Sequence, residues 1–130
     1  EEGGTEGVLV VDGAMAGLGL LAEPLRIRIE RGMAVSFEGP QAARLQEMLD
    51  RHGPLARSVA ELGIGTNHGA RLTGEILEDE KVAGTAHVAF GNNASMGGTV
   101  TLPVHLDGIV LRPTLHVDDT LVLQDGVLKL

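Results

Sequence analysis

Apolar and polar positions alternate strictly along Leu25–Glu30, where Leu25, Ile27 and Ile29 interleave with Arg26, Arg28 and Glu30. A period of two places the apolar side chains on one face of a half-exposed strand. A Gly32-Met33 turn lets residues 34–38 return beside it as a hairpin partner. Residues 8–11 form another short apolar run, closed by Asp12-Gly13. The period then lengthens. Ala42, Leu45, Met48 and Leu49 recur at helical spacing after Pro40, and Gly53-Pro54 stops the run, which predicts one well-defined helix. Val59–Ile64 is a short apolar segment interrupted by a single acid, Glu61. Residues 72–80 predict a second, short helix with Glu75, Glu78, Asp79 and Glu80 on a solvated face.

Alternation returns from Val82 onward. Ala86, Val88 and Phe90 oppose His87 and Ala89, and Val100, Leu102, Val104 and Leu106 oppose Thr101, Pro103, His105 and Asp107. The apolar tail is divided at Asp118-Asp119 and at Asp125-Gly126, the latter a hairpin signal. With no repeat or low-complexity linker, residues 1–130 read as a single domain. The expected class is α+β, strand-dominated, with a mixed or antiparallel and partly barrel-like sheet, one well-defined helix and a second short one.

Composition narrows the function. Hydrophobic residues make up 43% of the chain against 22% charged, a balance that supports a packed core. The net charge of −8 disfavours nucleic acid and anionic membrane surfaces as partners. Phe37 and Phe90 are the only aromatic residues, too few for a base-stacking platform. The longest apolar stretch, residues 13–22, is roughly half a membrane span. The absence of cysteine excludes disulfides and thiolate ligands and suits a reducing cytoplasm. The start, Glu-Glu-Gly-Gly, has no basic region, apolar signal or Met and reads as a cut from a longer parent.

Gly17-Leu18-Gly19-Leu20-Leu21-Ala22 has the glycine spacing of a dinucleotide-binding turn, but Pro24 would break the helix that must receive the pyrophosphate. A glycine-rich turn between strands is the better reading. The chemistry concentrates instead at His105-Leu106-Asp107, with His87 and Glu61. On a strand, residues two apart project from one face about 6.5–7 Å apart, so an imidazole and a carboxylate can converge on one cation. A carboxylate in the apolar setting of Glu61 is unfavourable unless paired, and a divalent ion would pair it. Asp107-Gly108 is also a hairpin dipeptide, so a turn there is an open alternative. His52 closes the first helix and His68 lies in a Gly-rich loop, where structural or solvent roles are expected; His116 is a weak fourth candidate.

Three ordered blocks, residues 61–67, residues 77–91 and His105-Leu106-Asp107, resemble the C-terminal region of aminopeptidase T-like leucyl aminopeptidases of the thermophilic metalloprotease family. The resemblance implies a metal-dependent hydrolase in which two divalent ions (Zn, Co or Mn) activate water against the N-terminal bond of a peptide substrate. It carries metal-ligand roles onto Glu61, His87, His105 and Asp107, with Glu61 also a candidate proton acceptor. It further implies a second glutamate upstream of this chain, contact with an N-terminal domain of the parent, and a homodimer. Such peptidases carry a tyrosine where this chain has Gly91-Asn92-Asn93-Ala94. The same superfamily also resembles iron-dependent dioxygenases that open hydroxylated pyridine rings, in which His87, His105 and Asp107 would be a 2-His-1-carboxylate set for Fe(II). A non-catalytic dimerisation or binding module is the third reading.

Overall fold

The computed structural model describes residues 2–130 and is built on strands. In chain order these are β1 (Gly7–Val11), β2 (Ala14–Met15), β3 (Gly19–Leu20), β4 (Leu25–Glu30) and β5 (Met33–Glu38), then helix α1 (Ala42–Asp50) and β6 (Val59–Ile64). Helix α2 (Ile76–Asp79), β7 (Thr85–Gly91), β8 (His105–Leu111), β9 (Leu115–Val117), β10 (Thr120–Gln124) and β11 (Val127–Leu128) complete the chain. Strands pair antiparallel into three sheets, ordered β1-β4-β5, β3-β2-β8-β7-β6 and β9-β10-β11. The expected barrel character is absent among the described residues: they form three separate sheets whose edge strands do not pair to close a ring.

Leu25, Ile27 and Ile29 of β4 are buried while Arg26 and Arg28 are exposed, as the alternation predicts. They meet Ala42, Leu45 and Leu49 of α1, together with Val11, Met15 and Phe90, in one apolar core. The turn at Gly17 links β2 to β3, with Gly17 and Gly19 at positive φ, as expected for a turn between strands. At the far end, Asp125 and Gly126 both take positive φ and join β10 to β11, the hairpin that this dipeptide favours. Among the described residues, no helix is long and apolar enough to cross a membrane.

Three readings are decided by the fold: two expectations change and one open alternative closes. The alternation through residues 100–107 yields a strand only from His105, because Pro103 cannot donate to a ladder and Asn92 and Asn93 take up the neighbouring backbone. Asn92 Nδ2 donates to the Leu102 carbonyl (2.7 Å), and the Val100 amide donates to Asn93 Oδ1 (2.9 Å). Second, Asp107-Gly108 is strand interior and not a turn. Gly108 faces the core, where a Cβ would lie 2.8 Å from Val11 Cγ2 and 3.1 Å from Met15 Sδ, so its lack of a side chain lets the sheets pack closely. Third, the second helix is a single turn, and Asp79 on it is fully buried instead of solvated. Its carboxylate accepts the amides of Thr73 (2.7 Å) and Gly74 (2.9 Å), backbone groups of the loop that leads into the helix.

Gly108→Ala is expected to overpack this junction and lower stability by about 1–3 kcal/mol, measured as a shift in urea midpoint at unchanged slope.

Candidate metal centre

The five-stranded sheet has one apolar face and one polar face. Across β7 and β8, His87 pairs with Ile109, Ala89 with Asp107 and Gly91 with His105, so His87, Asp107 and His105 share a face. Phe90 and Leu106, paired on the opposite face, belong to the core. Strand β6 brings Glu61 opposite Ala89, and hence in line with Asp107.

That placement needs an irregularity. Val59 pairs with Phe90 and Glu61 with Ala89, leaving Ala60 as an extra residue. On a regular strand Val59 and Glu61 would share a face; the bulge lets Val59 pack toward the core while Glu61 turns to the polar side. Gly63 completes the fit. A Cβ there would lie 2.0 Å from His87 Nε2, so the glycine vacates the space the imidazole occupies.

Glu61 joins the two histidines. Its Oε1 is 3.3 Å from His87 Nε2 and its Oε2 is 3.2 Å from His105 Nε2. Asp107 Oδ2 stands 3.6 Å from the same His105 nitrogen. The structure therefore brings together Glu61, His87, His105 and Asp107. His68 and His116 are exposed and stand outside this cluster, and His52 remains at the end of α1.

The hydrogen bonds leave the cluster incomplete. His105 Nδ1 lies 2.8 Å from the Asn92 carbonyl oxygen, which can only accept, so Nδ1 carries the proton. A neutral His105 then turns a bare Nε2 lone pair toward two carboxylates, an arrangement relieved by a proton or a metal cation at that nitrogen. His87 Nδ1 and Asp107 Oδ1 are the buried side-chain polar atoms without a hydrogen-bond partner among the described residues, and both belong to this cluster. Each such orphan is unfavourable by about 1–3 kcal/mol. The nitrogen and oxygen donors of this cluster, two of them without a partner, fit a divalent cation.

Sequence reasoning missed Glu80. Its carboxylate, a ring nitrogen of His87 and an Asp107 oxygen lie within 4.8 Å of one another, as do donor atoms of Glu61, His105 and Asp107. Asp107 thus belongs to both groups. Glu80 is held by an ion pair with Lys81. The backbone beside it is clipped to the 65–67 loop, with Asn67 N donating to the Lys81 carbonyl and Ala83 N to the Asn67 carbonyl. The run of acids in residues 75–80 carried no local sign that one of them turns inward. Burial pushes the Asp107 carboxyl above its ordinary range; the charge of His105 opposes this, while Glu80 and Glu61 reinforce it.

Two open clefts lead from Glu61. One, of about 440 Å³, runs toward Asn93 and Met96, and the other, of about 330 Å³, passes His105, Asn92 and Met96. A third, of about 340 Å³, opens beside His87, Glu80 and Asn67.

The family model for 2,5-dihydroxypyridine 5,6-dioxygenase (NicX) matches residues 1–130. The solved structure of 2,5-dihydroxypyridine dioxygenase from Pseudomonas putida KT2440 superimposes with a TM-score of 0.88 at 23% identity. The match covers 98% of this chain and 41% of that one. No curated protein matches the chain. The family match overturns the aminopeptidase resemblance, and with it the reading as a metalloprotease-type hydrolase with a two-metal site. The residues that suggested that resemblance specify a face able to hold a metal, and donor type and spacing do not by themselves select the reaction.

Two outcomes follow from this geometry. Gly63→Ala should displace the His87 ring and lower divalent-metal affinity about 10–100-fold, measured by titration calorimetry, with far-UV circular dichroism unchanged. Asp107 binds its proton more tightly folded than unfolded, so the destabilisation from ionising it is absent below about pH 3.9 and grows as pH rises through the raised folded value. Metal-free Asp107→Asn should therefore be more stable than the unsubstituted protein near neutral pH. The difference should shrink toward acid in paired thermal melts, while metal affinity falls more than about tenfold.

Proposed function

Because the chain belongs to the 2,5-dihydroxypyridine 5,6-dioxygenase family, we propose that it forms the metal-binding part of a ring-opening dioxygenase acting on a hydroxylated pyridine. His105 and Asp107 would hold one ferrous ion, with His87 beside Asp107 in the adjoining donor group, nitrogen and oxygen donors of the kind that suit Fe(II) oxygenases. The observation that carries this reading is the pair of orphaned atoms, His87 Nδ1 and Asp107 Oδ1, buried on one face with a His105 lone pair aimed at carboxylates. Iron bound there would supply the redox chemistry that lets an aromatic ring react with dioxygen.

The chain's own residues would do the rest of the work assigned here. The Asn92 backbone carbonyl accepts a hydrogen bond from His105 Nδ1 and so presents Nε2 to the centre. Asn92 is itself fixed, its Oδ1 accepting the Ala94 amide at 3.0 Å and its backbone N–H donating to the Val104 carbonyl at 2.8 Å. Glu61 borders both clefts, so a ring hydroxyl entering either one meets its carboxylate, which would accept the hydroxyl proton at Oε1 or Oε2. Glu80, neutralised in part by Lys81, would limit the excess charge on the cation. The chain spans about two-fifths of the solved dioxygenase it matches, and the remaining walls of the substrate site would come from outside these residues.

The test uses the full-length parent, loaded with Fe(II) without oxygen and then mixed with 2,5-dihydroxypyridine and dioxygen. Oxygen uptake with loss of ring absorbance is expected. His105→Ala should abolish both uptake and iron retention, whereas His52→Ala should leave both nearly unchanged. An iron-loaded parent that consumes no oxygen with this substrate would overturn the proposal.

A further inference from the structure

We infer that Met96 is the side chain against which the substrate ring packs; this rests on the ring-opening function proposed above. Glu61 and Met96 are the two residues common to the two clefts that lead from Glu61. One is a carboxylate suited to a hydroxyl. The other is an apolar side chain left 49% exposed at the mouth of a polar site.

That exposure is built into the loop. Met96 ends a 3-10 turn over Ala94–Met96, followed by Gly97 at φ 88°. At Gly98 a Cβ would lie 2.1 Å from Asn93 Cγ, so the chain closes tightly on the Asn93 side chain. Asn93 is buried, and its Nδ2 donates to Glu2 Oε1 at 3.1 Å. Glu2 Oε1 also accepts the Thr99 amide (3.2 Å) and hydroxyl (2.8 Å), so the segment beyond Met96 is tied down on both sides. The thioether is thus presented from a pinned backbone.

Among these residues no aromatic side chain competes for the role. Phe90 is fully buried in the core, Phe37 lies beneath the Arg57 guanidinium at 5.2 Å, and the chain has neither Tyr nor Trp. A polarizable sulfur makes favourable contacts with aromatic rings and adapts to their outline. A hydroxylated pyridine with a hydroxyl at Glu61 would therefore lay its ring along Met96, a contact that an acyclic acid could not reproduce.

The experiment titrates 2,5-dihydroxypyridine into the iron-loaded full-length parent under exclusion of oxygen, following the absorption change. Met96→Ala is expected to weaken binding about five- to tenfold with iron content unchanged, and Met96→Leu to retain most of the affinity. In turnover with oxygen, the loss should fall on KM more than on kcat. If the unsubstituted protein binds the ring and Met96→Ala binds it equally well, the role of Met96 is overturned alone. Loss of iron from Met96→Ala would also overturn it, by making the residue a support of the centre. An unsubstituted parent that holds iron but binds no ring would overturn the ring-opening function and this inference together.

Discussion

The period of two along a strand sets the problem that this site solves. Val59 has to reach the core beside Phe90, and Glu61, two residues on, has to reach the opposite face. One extra residue, Ala60, makes both possible. With the bulge in place, Glu61, Ala89 and Asp107 form a row across three strands, and His87 and His105 stand two residues to either side of it. Ala89 at the centre is small and fully buried, so the longer side chains can lean over it. A register one residue different would turn Glu61 into the apolar face and leave the histidines without the carboxylate between them.

The arrangement is electrostatically unbalanced. Three carboxylates, Glu61, Glu80 and Asp107, gather around two imidazoles, and the nearby Lys81 is engaged by Glu80. Burial opposes ionisation of Asp107, and two buried atoms have no partner. A sheet optimised only for stability would not retain such a face; functional sites commonly do, at the expense of folding free energy. The rest of the fold keeps these groups from relaxing apart. Strands deliver Glu61, His87, His105 and Asp107 in fixed register, while Asp79, Asn92 and Asn93 hold the adjoining loops by accepting or donating to backbone groups.

Donor identity and reaction type come apart here. Glu61, His87, His105 and Asp107 appear in the sequence in the order and spacing that suggested a two-metal hydrolase, yet the whole chain matches a dioxygenase family. Imidazoles and carboxylates on a half-buried strand face form donor groups that could hold a cation. Which reaction follows depends on the groups outside the donor set, such as the Asn92–His105 contact and the residues along the clefts.

The sequence by itself determined whatever depends on near neighbours. Alternation in Leu25–Glu30 defined the buried face of β4, helical spacing defined α1, and the separation of His87 from Val88 and Phe90, like that of His105 and Asp107 from Leu106, defined which side each donor takes. The tertiary structure decided what depends on distant ones. The bulge at Ala60 arises because β6 must match both Phe90 and Ala89 of β7, and Asp79 and Glu80 turn inward because the 65–67 and 71–74 segments close over them. An acid in a polar run has the same local pattern whether water or a folded loop surrounds it. Its burial is decided by segments far along the chain, so only the assembled fold distinguishes a solvated Glu80 from one beside His87 and Asp107.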